Sequence, residues 1–414
     1  MTLPTPYTKF DPTNPPPPLM TGEPNSFAQR TMTTRIPAIV RQVLADHAGM
    51  YSAKMTERLH RLHDELVEDK PLRPLEDPAP DKDAWLAAWA PHRAKSWLNI
   101  PWYFAEAYLY RRIMEAVDHF GAGQWAGHDP FLPSKQAELA GDTAWHVLHS
   151  AAGQAAENSL DSLRKLLHFG VWGNRVDLSY TQVAQATGRN IALEREQANL
   201  LVDDTHTVLA HLAPSTAGRR LDFICDNAGT ELLTDLALVD FLLKYGWAGQ
   251  VTLHVKAHPT YVSDTTAADI GLTLTAMKSK NSGDFAGLAT RLERFLNQKQ
   301  LLIRPDFFWN SSRFFWEFSP ELRAELAQAH LVIIKGDANY RRLLGDSRWP
   351  PTVPLIDAVP YFPAPFVALR TLKSDPIVGL QPGQAEALDR EDPAWRVNGQ
   401  RGMVQAETTF KNRS

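Results

Sequence analysis

Four short clusters of charged and amide side chains stand in the second half of this 414-residue chain, each after a run of apolar residues. Asp226-Asn227 follows LDFIC, and Ser263-Asp264 follows VTLHVKA through the short loop HPTYV. Lys335-Gly336-Asp337, with Asn339, Tyr340 and Arg341 just beyond, follows LVII, and Arg370, Thr371 and Lys373 fall within FVALRTLK. Asp226, Asn227 and Asp264 offer hard oxygen donors, which suit Mg²⁺ or Mn²⁺ rather than a soft metal. Lys335, Arg341, Arg370 and Lys373 are cations able to neutralise phosphate oxygens. A helix is expected right after DNAGT (226–230), so its free N–H groups could also face an anion. Metal-assisted handling of a phosphate is the chemistry such a set performs. Asp and Asn also cap helices and fill turns. That explains one cluster as well as a site does, but four together favour a site.

The elements that would converge these residues can be read from hydrophobic period. From about residue 220, short apolar runs alternate with helical patterns. LDFICD (221–226), VTLHVKA (251–257), LVIIKGD (331–337) and FVALRTLK (366–373) read as strands. ELLTDLALVDFLLKYG and FAGLATRLERFLNQK (285–299) read as helices. Continuous apolar strands alternating with helices predict a mostly parallel sheet covered on both faces, with ligands outside the carboxyl ends of its strands. NIALEREQANLLVDDTHTVLAHLA reads as one further helix. Before it, Ile36, Val40, Val43 and Leu44 keep helical spacing, as do Leu59, Leu62 and Leu66, and PWYFAEAYLYRRIMEAV (101–117) starts with proline at a first helical position. Three segments result: a Pro-rich arm (1–25), mobile or draped on the surface; a helical N-terminal domain (26–185); and an α/β catalytic domain (186–414).

Composition narrows the function. Lys and Arg number 43 against 47 Asp and Glu, so no basic face for nucleic acid is expected. No apolar run approaches the ~20 residues of a membrane helix, and the N-terminus lacks the charged and apolar regions of a secretory signal. A soluble, cytoplasmic protein is expected. The single cysteine, Cys225, rules out an intrachain disulfide and a multi-cysteine zinc site. It also lacks the arginine six residues on that a cysteine phosphatase needs, since Glu231 stands there. Asp226 is not followed by the x-Asp of a haloacid-dehalogenase-type site, and no Walker loop exists. The one GxGxxA, Gly121–Ala126, follows a helix-like segment rather than a strand. The pairs His60/His63 and His146/His149 read as surface or core histidines, and His254 and His258 as structural. The aromatic stretch 307–318 reads as core packing.

Several longer stretches are distinctive: DNAGTELLTDLALVDFLL (226–243), HVKAHPTYVSD (254–264), KGDANYRRL (335–343) and RTLK (370–373), with SFAQRTMTTRIP (26–37), PWYFAEAYLYRR (101–112) and WGNRVDLS (172–179) in the helical half. On these the chain, from about residue 26 to 380, resembles the damage-control phosphatases, formerly domain of unknown function 89. Within them it is similar to subfamily III, the acidic-residue-methyltransferase-like branch with its Arg-Thr-x-Lys motif. The resemblance implies an α/β/α sandwich with a helical N-terminal domain. It implies that Asp226, Asn227 and Asp264 hold a divalent metal (Mn²⁺, Co²⁺ or Ni²⁺, with Mg²⁺ as an alternative) and carry catalysis. It further implies that these three, with Asp337, Ala338, Asn339, Tyr340, Arg341 and Lys373, contact the substrate. Ala338 stands where the family usually has Leu. Lys335 and Arg370 are expected as further phosphate contacts, while Glu106, Asn174 and Asp177 lie in family-like motifs without an assigned role. The activity implied is hydrolysis of small phosphorylated metabolites such as fructose 1-phosphate and fructose 6-phosphate, with no nucleic-acid, membrane or obligate protein partner. Two alternatives stand beside it: an adenosylmethionine-dependent carboxyl methyltransferase, which the missing glycine-rich loop after the first α/β strand opposes, and a non-catalytic phosphometabolite sensor.

Overall fold

The alternation of side chains along the strands decides the layering. In the computed structural model, which describes residues 7–173, 198–213, 218–280 and 282–409, the described strands form a seven-stranded sheet in the order β1-β7-β6-β5-β2-β3-β4. They are β1 (Leu200–Asp203), β2 (Arg220–Ile224), β3 (Gln250–Lys256), β4 (Leu301–Asp306), β5 (Leu331–Lys335), β6 (Phe366–Thr371) and β7 (Gly402–Glu407). All neighbours are parallel except β6 and β7. Odd-numbered residues of β2, β3, β5 and β6, such as Phe223, Leu253, Ile333 and Leu369, enter one core. Even-numbered Ile224, Val332, Ile334 and Ala368 enter the other. The first core is roofed by the helices Asp142–Gln154, Leu160–Trp172 and Thr230–Lys244, and the second by Pro320–Leu326, Gly336–Leu344 and the aromatic residues Phe308, Trp309, Phe315 and Phe318. This is a three-layer α/β/α sandwich with a mostly parallel sheet. The aromatic stretch is core, as its composition suggested.

The helices Ile36–Asp46, Ala53–Val67, Lys82–Trp89 and Trp102–Ala116 share a separate core with Phe131. Every residue of Trp102–Ala116 is buried, so this helix is the axis of the helical half. Residues 7–25 drape across both parts. Phe10 packs between Trp316 and Tyr361, the Leu19 N–H donates to the Asp346 carbonyl, and the Trp102 N–H donates back to Leu19.

One expected element comes out differently, and strand β4 was not expected. The helix expected from residue 190 has its first eight residues outside the described part. The rest divides into β1 and the helix Thr205–Leu212. Pairing of Leu200–Asp203 with β7 overrides the helical spacing there, and Asp203 turns the chain by accepting from the Thr205 N–H. β4 went unread because Pro305 interrupts it; at the sheet edge a proline costs no ladder bond. Asn174 and Asp177 also lie outside the described residues.

A buried ion pair fastens the helical core near the strand ends. Arg111 forks onto Asp81 (Nε to Oδ2 2.8 Å, Nη2 to Oδ1 2.9 Å), and His258, at the end of β3, lies 3.7 Å from the same carboxylate. Burial would raise the Asp81 carboxyl, but His258 and Arg111 outweigh it and hold it at about 2. Because that lies below an unfolded aspartate's ~3.9, the stabilisation is complete above about pH 4 and is lost as pH falls towards 2, about 2–3 kcal/mol in all. Asp81→Asn is therefore expected to flatten the acid limb of stability over that window, read as urea midpoints; an unchanged limb would refute the assignment.

Candidate active site

The ends of β2 and β3 are zipped together by backbone bonds. The Ala228 N–H donates to the Ser263 carbonyl and the Thr265 N–H to the Asp226 carbonyl, both at 2.7 Å, which makes Asn227 and Asp264 bridge partners. Asn227 Nδ2 donates to Asp226 Oδ2 (2.9 Å) and to Glu231 (3.0 Å), and Ser263 Oγ donates to Asn227 Oδ1 (2.5 Å). Two carboxylates are thus buried side by side. Asp226 Oδ1 accepts no hydrogen bond from the described residues, and Lys256 Nζ stands 3.0 Å from Asp264 Oδ2. Burial, then the charges of Asp264 and Glu231, push the Asp226 carboxyl well above the usual carboxylate range. Burial raises Asp264 as well, against the pull of Lys256. An unpartnered buried oxygen in a pair of crowded acids is an environment that calls for a cation.

β5 ends against this pair at Gly336. Its φ is +81°, and a Cβ there would lie 1.8 Å from Asp226 Oδ2, so only glycine lets the strand end approach so closely. The helix Gly336–Leu344 starts at this point with no side chain capping its N-terminus. The helix expected after DNAGT behaves otherwise, because Glu138 fills its N-terminus. The Glu138 carboxylate accepts from the Thr230 N–H (2.8 Å) and hydroxyl (2.7 Å). The anion at that helix end belongs to the chain itself.

A cavity of about 410 Å³ opens over these loops. Asp226, Asn227 and Asp264 line it, as do Asp337, Ala338, Arg341 and Lys373. Asn339 and Tyr340, expected as substrate contacts, do not. At 100° per residue, 337, 338 and 341 share one helix face and 339 and 340 point elsewhere. Asn339 Nδ2 binds the carbonyls of Cys225 and Lys335, and the Tyr340 hydroxyl donates to Gln405. Lys335 and Arg370 also depart from expectation, for reasons of strand parity. Lys335 shares the face of Ile333, where its ammonium meets Asp235 (2.9 Å), Glu231 (3.4 Å) and the Gly170 carbonyl. Arg370 shares the face of Ala368, where it holds Asp337 (2.7 Å) and the carbonyls of Pro376 and Ser374. Both are fully buried and neither lines the cavity. Asp337 in turn accepts the Lys373 N–H and so fixes the loop that brings the Lys373 ammonium to the cavity.

The wall from the helical half was largely missed. Trp102, Glu106 and Tyr110 line it from successive turns of one helix face, joined by Phe27, Arg35 and Tyr261. A glutamate set between aromatics at i and i+8 on a helix with no polar face was the available signal. Glu106 binds Arg341 Nη1 at 2.5 Å, and Asp346 takes Nε and Nη2 at 2.7 and 3.0 Å. Gly121–Ala126 lies in a turn after the Trp102–Ala116 helix, away from any strand end. Among the described residues no group of three or more His, Cys, Asp and Glu is placed to hold a metal; the acid pair is completed by an amide, Asn227. No helix among them is long and apolar enough to cross a membrane.

A parallel sheet whose central strand ends gather acids and cations around one cavity defines a ligand-binding α/β protein, with the cavity where the strand order reverses about β2 and β5. The profile of the damage-control phosphatase ARMT1-like domain matches residues 31–388. The chain belongs to that family. Relatives named damage-control phosphatase ARMT1 include those of Xenopus tropicalis (32% identity over 93% of this chain and 97% of that one), Mus musculus (33%, over 92% and 96%) and Homo sapiens (32%, over 92% and 96%). A solved DUF89-family protein from Pyrococcus horikoshii aligns with a TM-score of 0.49 at 12% identity, over 91% of this chain and 97% of that one.

The contact at Gly336 can be tested directly. Gly336→Ala combines a left-handed backbone with a clash on Asp226, so it is expected to cost about 1–3 kcal/mol of stability and to displace the carboxylate. Binding of Mn²⁺ measured by calorimetry should weaken at least about tenfold; wild-type binding in the variant would show that the approach is not needed.

Proposed function

We propose that this chain is a metal-dependent phosphatase that hydrolyses phosphomonoesters of small metabolites, with sugar phosphates such as fructose 1-phosphate and fructose 6-phosphate as its substrates. The observation that carries the proposal is the convergence, on one cavity, of a crowded acid pair with a lysine and a helix N-terminus that, among the described residues, have no carboxylate partner and no side-chain cap respectively. The donors fit a divalent ion: Asp226 Oδ1 is buried without a partner among the described residues, Asp264 and the Asn227 amide oxygen stand beside it, and all are oxygens that suit Mn²⁺, Co²⁺ or Ni²⁺, with Mg²⁺ as an alternative. Such an ion would supply Lewis-acid charge at the phosphoryl oxygens.

The chain's own groups do the rest. Lys373 and the free N–H groups at the start of Gly336–Leu344 face the phosphoryl oxygens and stabilise charge as it builds. Arg341 is held by Glu106 and Asp346, so it stiffens the cavity floor. In the reaction water attacks phosphorus, the ester P–O bond breaks, and the leaving oxygen takes a proton. Asp226 serves as a ligand, not as the nucleophile, and a trapped phosphoenzyme would overturn that choice. The charge balance and the buried, unpaired Cys225 suit a cytoplasmic setting.

The test is phosphate release from a sugar-phosphate panel by chelator-stripped protein, with and without Mn²⁺. Release is expected only with metal, and Asp226→Ala should lower kcat/KM by about 100-fold or more. Binding of sugar phosphate without release by folded protein would point to a sensor, and specific heat on adding adenosylmethionine to a methyltransferase.

A further inference from the structure

The cations around the cavity differ in what already holds them. Arg341 is committed to Glu106 and Asp346, with its guanidinium 3.7 Å from the centre of the Trp102 ring. Among the described residues, neither Lys373 nor Arg35 has a carboxylate within ion-pair distance, although both line the cavity. They come from different halves of the molecule: Lys373 from the loop just after β6, and Arg35 from the helical half. Lys373 bears on the charge of Asp226, and Arg35 on that of Glu106. A phosphate ester seated at the acid pair has Lys373 beside it and leaves Arg35, on the helical wall, for another part of the molecule.

The element that carries Arg35 is itself unusual. Thr31–Arg35 is a π-helical turn set between the short helix Phe27–Arg30 and the helix Ile36–Asp46, and such turns are frequent at functional sites. It is anchored on both sides: Met32 and Ile36 are buried in the helical core, and the Phe27 ring meets Trp102 edge-on at 5.8 Å. The exposed arginine is thus held on a buried base beside an aromatic wall, with no carboxylate among the described residues within ion-pair distance.

We propose that Arg35 binds a second anionic group on the substrate, a carboxylate or a further phosphate borne by the leaving group, so that the preferred substrates are metabolites charged at both ends. The proposal rests on the phosphatase reading above and narrows its substrate class. A planar guanidinium suits either group by paired N–H···O bonds.

Two matched pairs test it: fructose 1-phosphate against fructose 1,6-bisphosphate, and glucose 6-phosphate against 6-phosphogluconate. The wild type should show the lower KM for the doubly anionic member of at least one pair. Arg35→Ala should raise that KM about tenfold with kcat within about twofold, and leave the singly anionic member's KM within about twofold. Arg35→Lys should recover part of the loss. A response confined to the first pair identifies a phosphate as the second group, and one confined to the second pair a carboxylate. Equal changes for both members of each pair, or none, overturn the proposal. Should the wild type hydrolyse none of the four, the phosphatase reading fails, and calorimetry with the same ligands decides Arg35 separately. A binding loss in Arg35→Ala limited to doubly anionic ligands supports it, and equal binding by both proteins refutes it.

Discussion

Two carboxylates buried against one another set the terms for everything around them. Taking Asp226 and Asp264 out of water costs several kcal/mol for each ionised group, and their mutual repulsion adds to it. Backbone bonds between the β2 and β3 ends nevertheless hold them together, and Lys256 offsets only part of the charge. Glycine at 336 brings a third strand end against them, which excludes water further and deepens the deficit. Such a site is destabilised while both carboxylates are ionised, and either a proton or a cation relieves it.

The surrounding cations divide by strand parity into those that build and those that bind. Lys335 and Arg370 occupy strand positions facing opposite cores, so each is consumed by acids on the helices that roof that face: Asp235 and Glu231 for one, Asp337 for the other. A single-residue shift along either strand would turn these side chains to the other face. Lys373 stands beyond the end of β6, where the pleat no longer dictates direction, and there a cation from the sheet half reaches the cavity with no carboxylate among the described residues within ion-pair distance.

That division explains what could be read in the sequence. Apolar runs such as LVII and LDFI, buried on both faces, announce parallel strands, and the polar residues that follow them mark the carboxyl ends where ligands bind. Hence Asp226, Asn227, Asp264 and Lys373 were visible from type and position alone. Asn339, Tyr340, Lys335 and Arg370 were visible as polar residues but not as oriented ones, because orientation depends on helix phase and strand register. β1 and β7 were hidden for a related reason: their pairing is between segments some two hundred residues apart, and no local pattern reports a distant partner. Arg35 and the Trp102–Glu106–Tyr110 face were hidden most deeply, since their role arises only when the helical half closes over the strand ends.

That closure is itself electrostatic. Arg341 projects from the sheet half, yet its guanidinium is divided between Asp346, on its own side, and Glu106, on the helical side. Burial raises the Glu106 carboxyl and Arg341 opposes that rise, so the helical half leaves a buried carboxylate without this cation unless the sheet half supplies it. The Asp346 carbonyl also receives the Leu19 N–H, and Leu19 in turn receives Trp102, which carries the N-terminal arm through the same joint and on to the π-helical turn of Arg35. A molecule joined only by apolar contacts could slide by a fraction of a turn at little cost. One joined through a buried guanidinium with three directed bonds cannot, and the walls that carry Lys373 and Arg35 are thereby held in register. On the proposed role of Arg35, selectivity for the length and charge of a substrate would follow from that register more than from any single side chain.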